Sequence, residues 1–205
     1  MLDYEKKIWG KGFKHIVGCD EAGRGPLCGP LVCAACMLPI NFQNEEINDS
    51  KKLNEKKREE LYSVIIDNAL SYGIVIISPS DIDKMNIYES SRFGMCEAIK
   101  KLKIEPDYIL TDAMPLYDFF GIPQEAIVKG DAKAMNIAAA SILAKVTRDR
   151  IMDELDKIYP EYHFSKHKGY PTKEHLALIE KLGVIKDIYR FSYAPVTKLK
   201  NFVRK

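Results

Sequence analysis

Asp20 and Glu21 stand side by side in the stretch GCDEAGRGP, and two further aspartates, Asp112 and Asp131, close the short apolar segments DYILTDA and EAIVKGD. One aspartate at the end of a strand ordinarily caps the turn that follows. Three strand ends in acid, one of them doubled, point instead to a cluster, because strand ends along one edge of a sheet converge in space. Carboxylates crowded together raise one another's pKa, so the cluster calls for cations. Their oxygens suit hard divalent ions, Mg2+ or Mn2+, better than zinc. Four negative charges match two such ions held ~3.5–4 Å apart, the arrangement that serves phosphodiester hydrolysis.

The doubled acid sets a geometric condition. Consecutive side chains of a strand point to opposite faces, so Asp20 and Glu21 share one site if the strand ends at Asp20 and the backbone swings Glu21 round. Gly23 and Gly25 follow at once, and without Cβ atoms they let main-chain groups approach a ligand closely. A ribose 2′-hydroxyl both donates and accepts a hydrogen bond, so a bare backbone loop can read it, while Arg24 holds the adjacent phosphate. A metal-bearing strand end beside such a loop implies a nuclease that senses ribose. Lys51, Lys52, Ser141 and Lys145 are candidates for further phosphate contacts. Asp149 lies four residues after Lys145 and competes for the fourth acidic role, although a supporting ion pair with Lys145 is the preferred reading.

The elements that must position these residues alternate between strand and helix. Residues 14–20 and 31–38 read as strands joined by the glycine-rich turn, hence an antiparallel pair. Residues 54–70 read as a helix capped by Asn54, with Leu61, Ile65 and Leu70 as its apolar stripe. A strand at 72–78 precedes a helix that starts near Ser80 or Asp81, breaks near Asn86 and continues to Leu102. Two short strands end at Asp112 and Asp131. A long helix from about Ala134 to Tyr159 stops at Pro160, with Ala140, Ala144, Ile151 and Leu155 marking its core face. A loop, a helix at 172–182 and an irregular tail complete the chain. The reading is one α/β domain, with residues 1–160 catalytic and 161–205 a loop and helical extension packed on the same domain.

Composition excludes other classes. At 205 residues, 46% hydrophobic and 29% charged, the chain has a core and is not a disordered segment. It has no apolar run of membrane-spanning length, and its start, MLDYEKKIWGKG, is too charged for a signal peptide, so a cytoplasmic protein is expected. Cys33 and Cys36 form a C-x-x-C with no second pair of soft ligands, inside the apolar run LVCAACML, which reads as a buried strand. The net charge is only +2, yet SKKLNEKKREE and HFSKHKGYPTKEH concentrate cations. Each read alone is a solvated helix face or a polar loop. The second interleaves Phe164 and Tyr170, a pattern that suits nucleic acid.

The motifs GCDEAGRGPLCGP (18–30), NDSKKL (48–53), YILTDA (108–113), VKGDAKAMNIAAASILAKVTRDR (128–150), HKGYPTKEHL (167–176) and YRFSYAPV (189–196) together resemble, in order, those of ribonuclease HII, the type 2 ribonuclease H family. The resemblance implies a ribonuclease H-like fold, a central mixed sheet flanked by helices with a helical C-terminal part. It implies cleavage of RNA in RNA–DNA hybrids and incision 5′ to single ribonucleotides in duplex DNA, leaving 3′-hydroxyl and 5′-phosphate ends. Carried over by motif, Asp20, Glu21, Asp112 and Asp131 are the catalytic and metal-binding acids. Gly23, Arg24 and Gly25 read the ribose, and Tyr170 stacks on the neighbouring deoxyribose. Two departures stand out: Ala113 where bacterial members often have glycine, and Tyr189 in place of a commoner histidine. The chain stops at Lys205, short of the longer tail some members carry, so a clamp partner recruited through such a tail is not expected. Separately, a monomer is expected, and the sequence names no protein partner. A resolvase- or transposase-like nuclease, or a non-catalytic hybrid-binding module, would be the alternatives. The first has no need of the glycine loop, and the second predicts a lost carboxylate.

Overall fold

The computed structural model describes residues 1–47, 50, 53–116, 121–199 and the backbone of 203 and 204. Helix α1 (Asp3–Trp9) leads into strands β1 (Ile16–Ala22) and β2 (Leu31–Met37). Helix α2 (Glu55–Asn68), strand β3 (Ser71–Ile77) and helices α3 (Pro79–Met85) and α4 (Ile87–Lys100) follow. Strands β4 (Tyr108–Asp112) and β5 (Gln124–Ile127) precede the long helix α5 (Met135–Ile158). Helices α6 (Phe164–His167) and α7 (Lys173–Leu182) and the short strands β6 (Val184–Ile185) and β7 (Val203–Arg204) end the chain.

Among the described residues, five strands form one mixed sheet in the order β3-β2-β1-β4-β5. β1 and β2 pair antiparallel, as do β2 and β3, whereas β1, β4 and β5 run parallel. This is the α/β architecture expected, a central mixed sheet with helices on both faces. Val32, Ala34 and Cys36 pack with Leu61 and Ile65 of α2 and the apolar face of α5. Cys33, Ala35, Val75 and Ile77 pack on the other side with Ile82, Met95 and Ala98 of α3 and α4. β2 is covered on both faces and every one of its residues is buried, which is why it reads as an unbroken apolar run. Cys33 and Cys36 fall on opposite faces, so they cannot chelate one ion.

α5 lies unusually close to the strand that carries the acids. A Cβ built on Gly18 of β1 would sit 2.1 Å from the carbonyl carbon of Asn136, so main chain rests directly on main chain. The buried Glu5 of α1 fixes the start of that helix. Its carboxylate accepts from the Asn136 backbone (3.0 Å) and side-chain amide (3.2 Å), while Asn136 Oδ1 accepts from Leu38 N–H at 2.8 Å. Burial pushes the Glu5 carboxyl up.

Several boundaries differ from the sequence reading. β1 continues through Glu21 to Ala22, paired with Cys33 and Val32, and so does not end at Asp20. β5 ends at Ile127, and Asp131 sits in a following 3-10 turn, Gly130–Ala132. α2 ends at Asn68, leaving Leu70 exposed and bonded through its N–H to the Met37 carbonyl. α3 starts at Pro79, because the Ser78 side chain caps it by accepting from Asp81 N–H. Asn86, at φ 67°, ends α3 and caps α4. On α5 the buried surface is wider than the stripe, taking in every residue from Met135 to Ala144, while Ile151 and Leu155 are half-buried. The segment after α5 folds back on it. Tyr162, Phe164, Ile179 and Tyr189 form a third cluster with Leu27, Cys28 and Met152. Phe164 is thus core, not a nucleic-acid contact, and of the interleaved rings only Tyr170 is exposed.

Candidate active site

The parallel register sets Cys19 of β1 beside Thr111 of β4, which brings Asp20 and Asp112 together at one end of the sheet. Asp131 arrives from the turn after β5, whose last residue pairs with Asp112. That turn is fixed by Gly130, whose N–H donates to Asp112 Oδ1 at 2.8 Å and whose missing Cβ leaves room for Ile137. Asp20, Asp112 and Asp131 each offer a carboxylate oxygen within 4.8 Å of the other two. Asp20 and Asp131 are buried and Asp112 half-buried. Three hard oxygen donors at this spacing fit a divalent ion.

Asp20 is held from two sides. Its Oδ1 accepts from Glu21 N–H at 2.7 Å, and Ser141 of α5 also bonds it. The Ser141 hydroxyl lies 2.9 Å from that of Ser50. Burial, then the Glu21 charge, push the Asp20 carboxyl well above the ordinary range, and the Ser141 and Glu21 N–H bonds only partly oppose them. A buried acid crowded by other acids is where a cation relieves the most repulsion.

Glu21 does not leave the strand. Alternation turns its side chain away from that of Asp20, towards the face of its partner Cys33. The carboxylate still lines the same cleft, with Oε1 3.5 Å from Nη1 of the half-exposed Arg24. The cleft, of about 210 Å³, is also lined by Gly23, Arg24, Gly25, Asp112, Ser141, Lys145 and Tyr170. The structure therefore gathers most of the residues singled out in the sequence. Lys51 and Lys52 lie outside the described residues.

Lys145 and Asp149 are partners, 2.6 Å apart. The second Asp149 oxygen faces Arg58 at 3.4 Å, and Arg58 donates to the Leu53 carbonyl at 2.5 Å and that of Ser50 at 3.3 Å. Asp149 thus serves as the ion-pair partner preferred for it, and it also ties α5 to the segment carrying Ser50. Burial pulls the Lys145 pKa down, against the pull of Asp149.

Tyr170 is 44% exposed, and its ring lies 3.5 Å from where a Cβ on Gly25 would stand. Its carbonyl is bound by His175 Nδ1 at 2.9 Å, and His175 Nε2 lies 2.9 Å from the Tyr189 hydroxyl. A carbonyl only accepts, so Nδ1 carries the proton and Nε2 accepts from Tyr189. His167 stacks on His175 at 4.0 Å. Burial and this neighbour push His175 down to about 4, so at neutral pH it is an uncharged strut.

Sequence reasoning missed Ser50, Arg58, His175 and two buried arginines, Arg148 and Arg190. Their types were visible, but each acts across more than a dozen residues of chain, and a charged or polar letter by itself reads as surface.

The ribonuclease HII family model matches residues 17–196. The chain is 50% identical over 196 residues to ribonuclease HII of Desulfitobacterium hafniense (strain Y51), covering 96% of this chain and 75% of the relative. It is also 50% identical over 198 residues to that of Acholeplasma laidlawii (strain PG-8A), covering 97% and 96%. The crystal structure of ribonuclease H2 from Pyrococcus horikoshii OT3 superposes with a TM-score of 0.77 at 29% identity, over 91% of this chain and 97% of that one. With the motifs, the sheet order and the family model agreeing over nearly its whole length, the chain belongs to the ribonuclease HII family, nucleases that hydrolyse phosphodiesters.

Proposed function

We propose that the protein cleaves RNA in RNA–DNA hybrids and incises duplex DNA on the 5′ side of a single embedded ribonucleotide. Asp20, Glu21, Asp112 and Asp131 would hold two divalent ions, Mg2+ or Mn2+. Bound there, such ions supply an attacking water of lowered pKa and neutralise charge on the leaving oxygen. Hydrolysis then leaves a 3′-hydroxyl and a 5′-phosphate. Gly23 and Gly25 admit the ribose to the backbone, whose polar groups read its 2′-hydroxyl, while Arg24 neutralises the adjacent phosphate. The Tyr170 ring stacks on the sugar of the next nucleotide and favours a deoxyribose there. Lys145 and Ser141 contact neighbouring phosphates, and the same role is proposed for Lys51 and Lys52. One chain supplies all of these residues, which suits a protein that acts as a monomer.

One observation carries the reading: Asp20 and Asp112 of the carboxylate group, the Gly23–Gly25 loop and the exposed Tyr170 ring border a single cleft. A general nuclease needs the first of these but neither of the others. The test uses an end-labelled DNA duplex with one ribonucleotide, incubated with Mg2+, Mn2+ or chelator beside an all-DNA duplex. Metal-dependent cutting 5′ to the ribonucleotide, with the all-DNA duplex intact, is the expected result. Cutting of both duplexes would overturn the ribose-sensing assignment.

A further inference from the structure

Two buried arginines lie beneath the glycine loop, Arg148 also bordering the floor of the cleft. Arg148 of α5 is 1% exposed and Arg190 of the C-terminal segment 0%. Buried guanidinium groups usually face carboxylates, but these two bind backbone. Arg148 donates to the carbonyls of Pro30 (3.0 Å), Lys168 (2.9 Å) and Cys28 (3.2 Å). Arg190 donates to Gly29 O through Nε (3.1 Å) and Nη2 (2.9 Å), and to Arg24 O through Nη1 (3.1 Å). The Arg24 carbonyl also accepts from the Tyr193 hydroxyl at 2.8 Å. Every carbonyl from 28 to 30, and that of Arg24 itself, is therefore held from within.

The loop is shaped to this support. A Cβ on Gly23, at φ 104°, would lie 2.3 Å from Arg148 Nε, and one on Gly29, at φ 77°, 2.4 Å from Met152 Sδ. Gly23 is therefore needed to seat the backbone on Arg148, besides any close approach of a ligand from outside. Arg148 reaches from the loop to Lys168, two residues before Tyr170, so one guanidinium ties together two walls of the cleft.

We propose that Arg148 and Arg190 are positioning residues, which fix the backbone of residues 24–30 so that the loop meets its substrate already in shape. A planar fork with five donors can bridge several carbonyls at once, and a lysine ammonium on the same stem cannot. The C-terminal segment is then part of the site, because Arg190 is its contribution to the loop. The link to substrate rests on the ribose-reading assignment given above.

The test compares Arg190→Lys and Arg148→Lys with the parent full-length chain by backbone amide exchange, without substrate. Exchange within residues 24–30 should quicken by about tenfold, the scale of one lost charge-assisted hydrogen bond, while β1 and the first half of α5 keep their protection. Unchanged loop exchange, or an equal loss throughout β1 and α5, would overturn the proposal. Calorimetric Mn2+ affinity of the substrate-free variants should stay within about twofold of the parent, since the three aspartates are untouched, and a larger fall would again mark a merely global role. On the single-ribonucleotide duplex, KM should rise about tenfold with a smaller change in kcat. A loosened loop with KM unchanged would uphold the two arginines and defeat the ribose-reading assignment instead.

Discussion

Replacing Asp20 by asparagine should make the metal-free protein more stable while removing its response to divalent ions. Asp20, Asp112 and Asp131 place carboxylate oxygens within 4.8 Å of one another. At that separation and an effective dielectric of ~20, each pair of full charges repels by about 3.5 kcal/mol. Three such pairs approach the whole stability of a typical domain, about 5–15 kcal/mol, so part of the charge must be carried as protons. The raised Asp20 carboxyl has burial as its largest cause and the Glu21 charge next, with Asp112 adding a smaller push in the same direction. A carboxyl raised by folding supports the fold below its unfolded pKa of ~3.9, and the support is lost as pH rises through the folded value. Asparagine has the same shape, keeps an oxygen to accept from Glu21 N–H, and carries no charge. The expected gain at neutral pH in chelator is about 1–3 kcal/mol, which for a chain of this size is roughly 2–12 °C in Tm. Mg2+ or Mn2+ should raise the Tm of the parent and leave that of the variant nearly unchanged, and the variant should not incise. Thermal unfolding from pH 5 to 8, with and without cations, reads the stabilities, and cutting of the single-ribonucleotide duplex reads the loss of incision. An Asp20→Asn protein no more stable than its parent in chelator, or still stabilised by Mg2+, would refute the electrostatic argument.

Lowering the pH should act through His175. Its pKa is pushed from 6.5 to about 4, so its contribution is complete above 6.5 and fades as pH falls towards 4, by about 2 kcal/mol at pH 5. Urea unfolding at pH 8 and pH 5 should show that loss in the parent and much less of it in His175→Gln. Tyr189→Phe removes the donor to His175 Nε2 and should lower stability by ~1–3 kcal/mol, with a weaker grip on substrate as the Tyr170 backbone loosens; unfolding and KM measure the two parts. Asp149→Asn should lower incision more than stability, since it frees Lys145 and Arg58 at the cleft, and equal activity to the parent would exclude that support. Ala113, at φ 52°, occupies a left-handed conformation that costs an L-residue ~1–2 kcal/mol. Ala113→Gly should therefore raise Tm slightly, offset in part by the greater freedom of glycine when unfolded.

The carboxylates were legible in the sequence because acids at the ends of apolar segments are unusual in one chain three times over. The alternation of elements gave the mixed sheet, and Asn54, Asn86 and Pro160 marked real helix boundaries. Where the reading missed, the reason was pairing or distance. β1 runs on to Ala22 because β2 is there to pair with it, which a single segment cannot reveal. Asp131 lies beyond its strand because Lys129 and Gly130 turn the chain first. HFSKHKGYPTKEH looks like a polar loop, yet Phe164, His167 and His175 are buried. The two imidazoles are satisfied by the nearby Tyr162 and Tyr170 carbonyls and, for His175, by the Tyr189 hydroxyl, partners that only the folded backbone brings round. Arg148 and Arg190 were hidden for the same reason.

The contact between Gly18 and Asn136 bears on how the protein tolerates change. In most cores a helix floats on a cushion of side chains, and each substitution shifts it a little. Here α5 touches β1 backbone to backbone at Gly18, two residues before Asp20 on the same strand. Near this contact the separation of helix and strand is set by main-chain thickness rather than by side-chain size. Drift in the size of core side chains on either sheet face can be absorbed at the far ends of the helix. Residue 18, where helix and strand meet, admits no side chain at all, so a substitution there would push α5 off the strand that carries the acids.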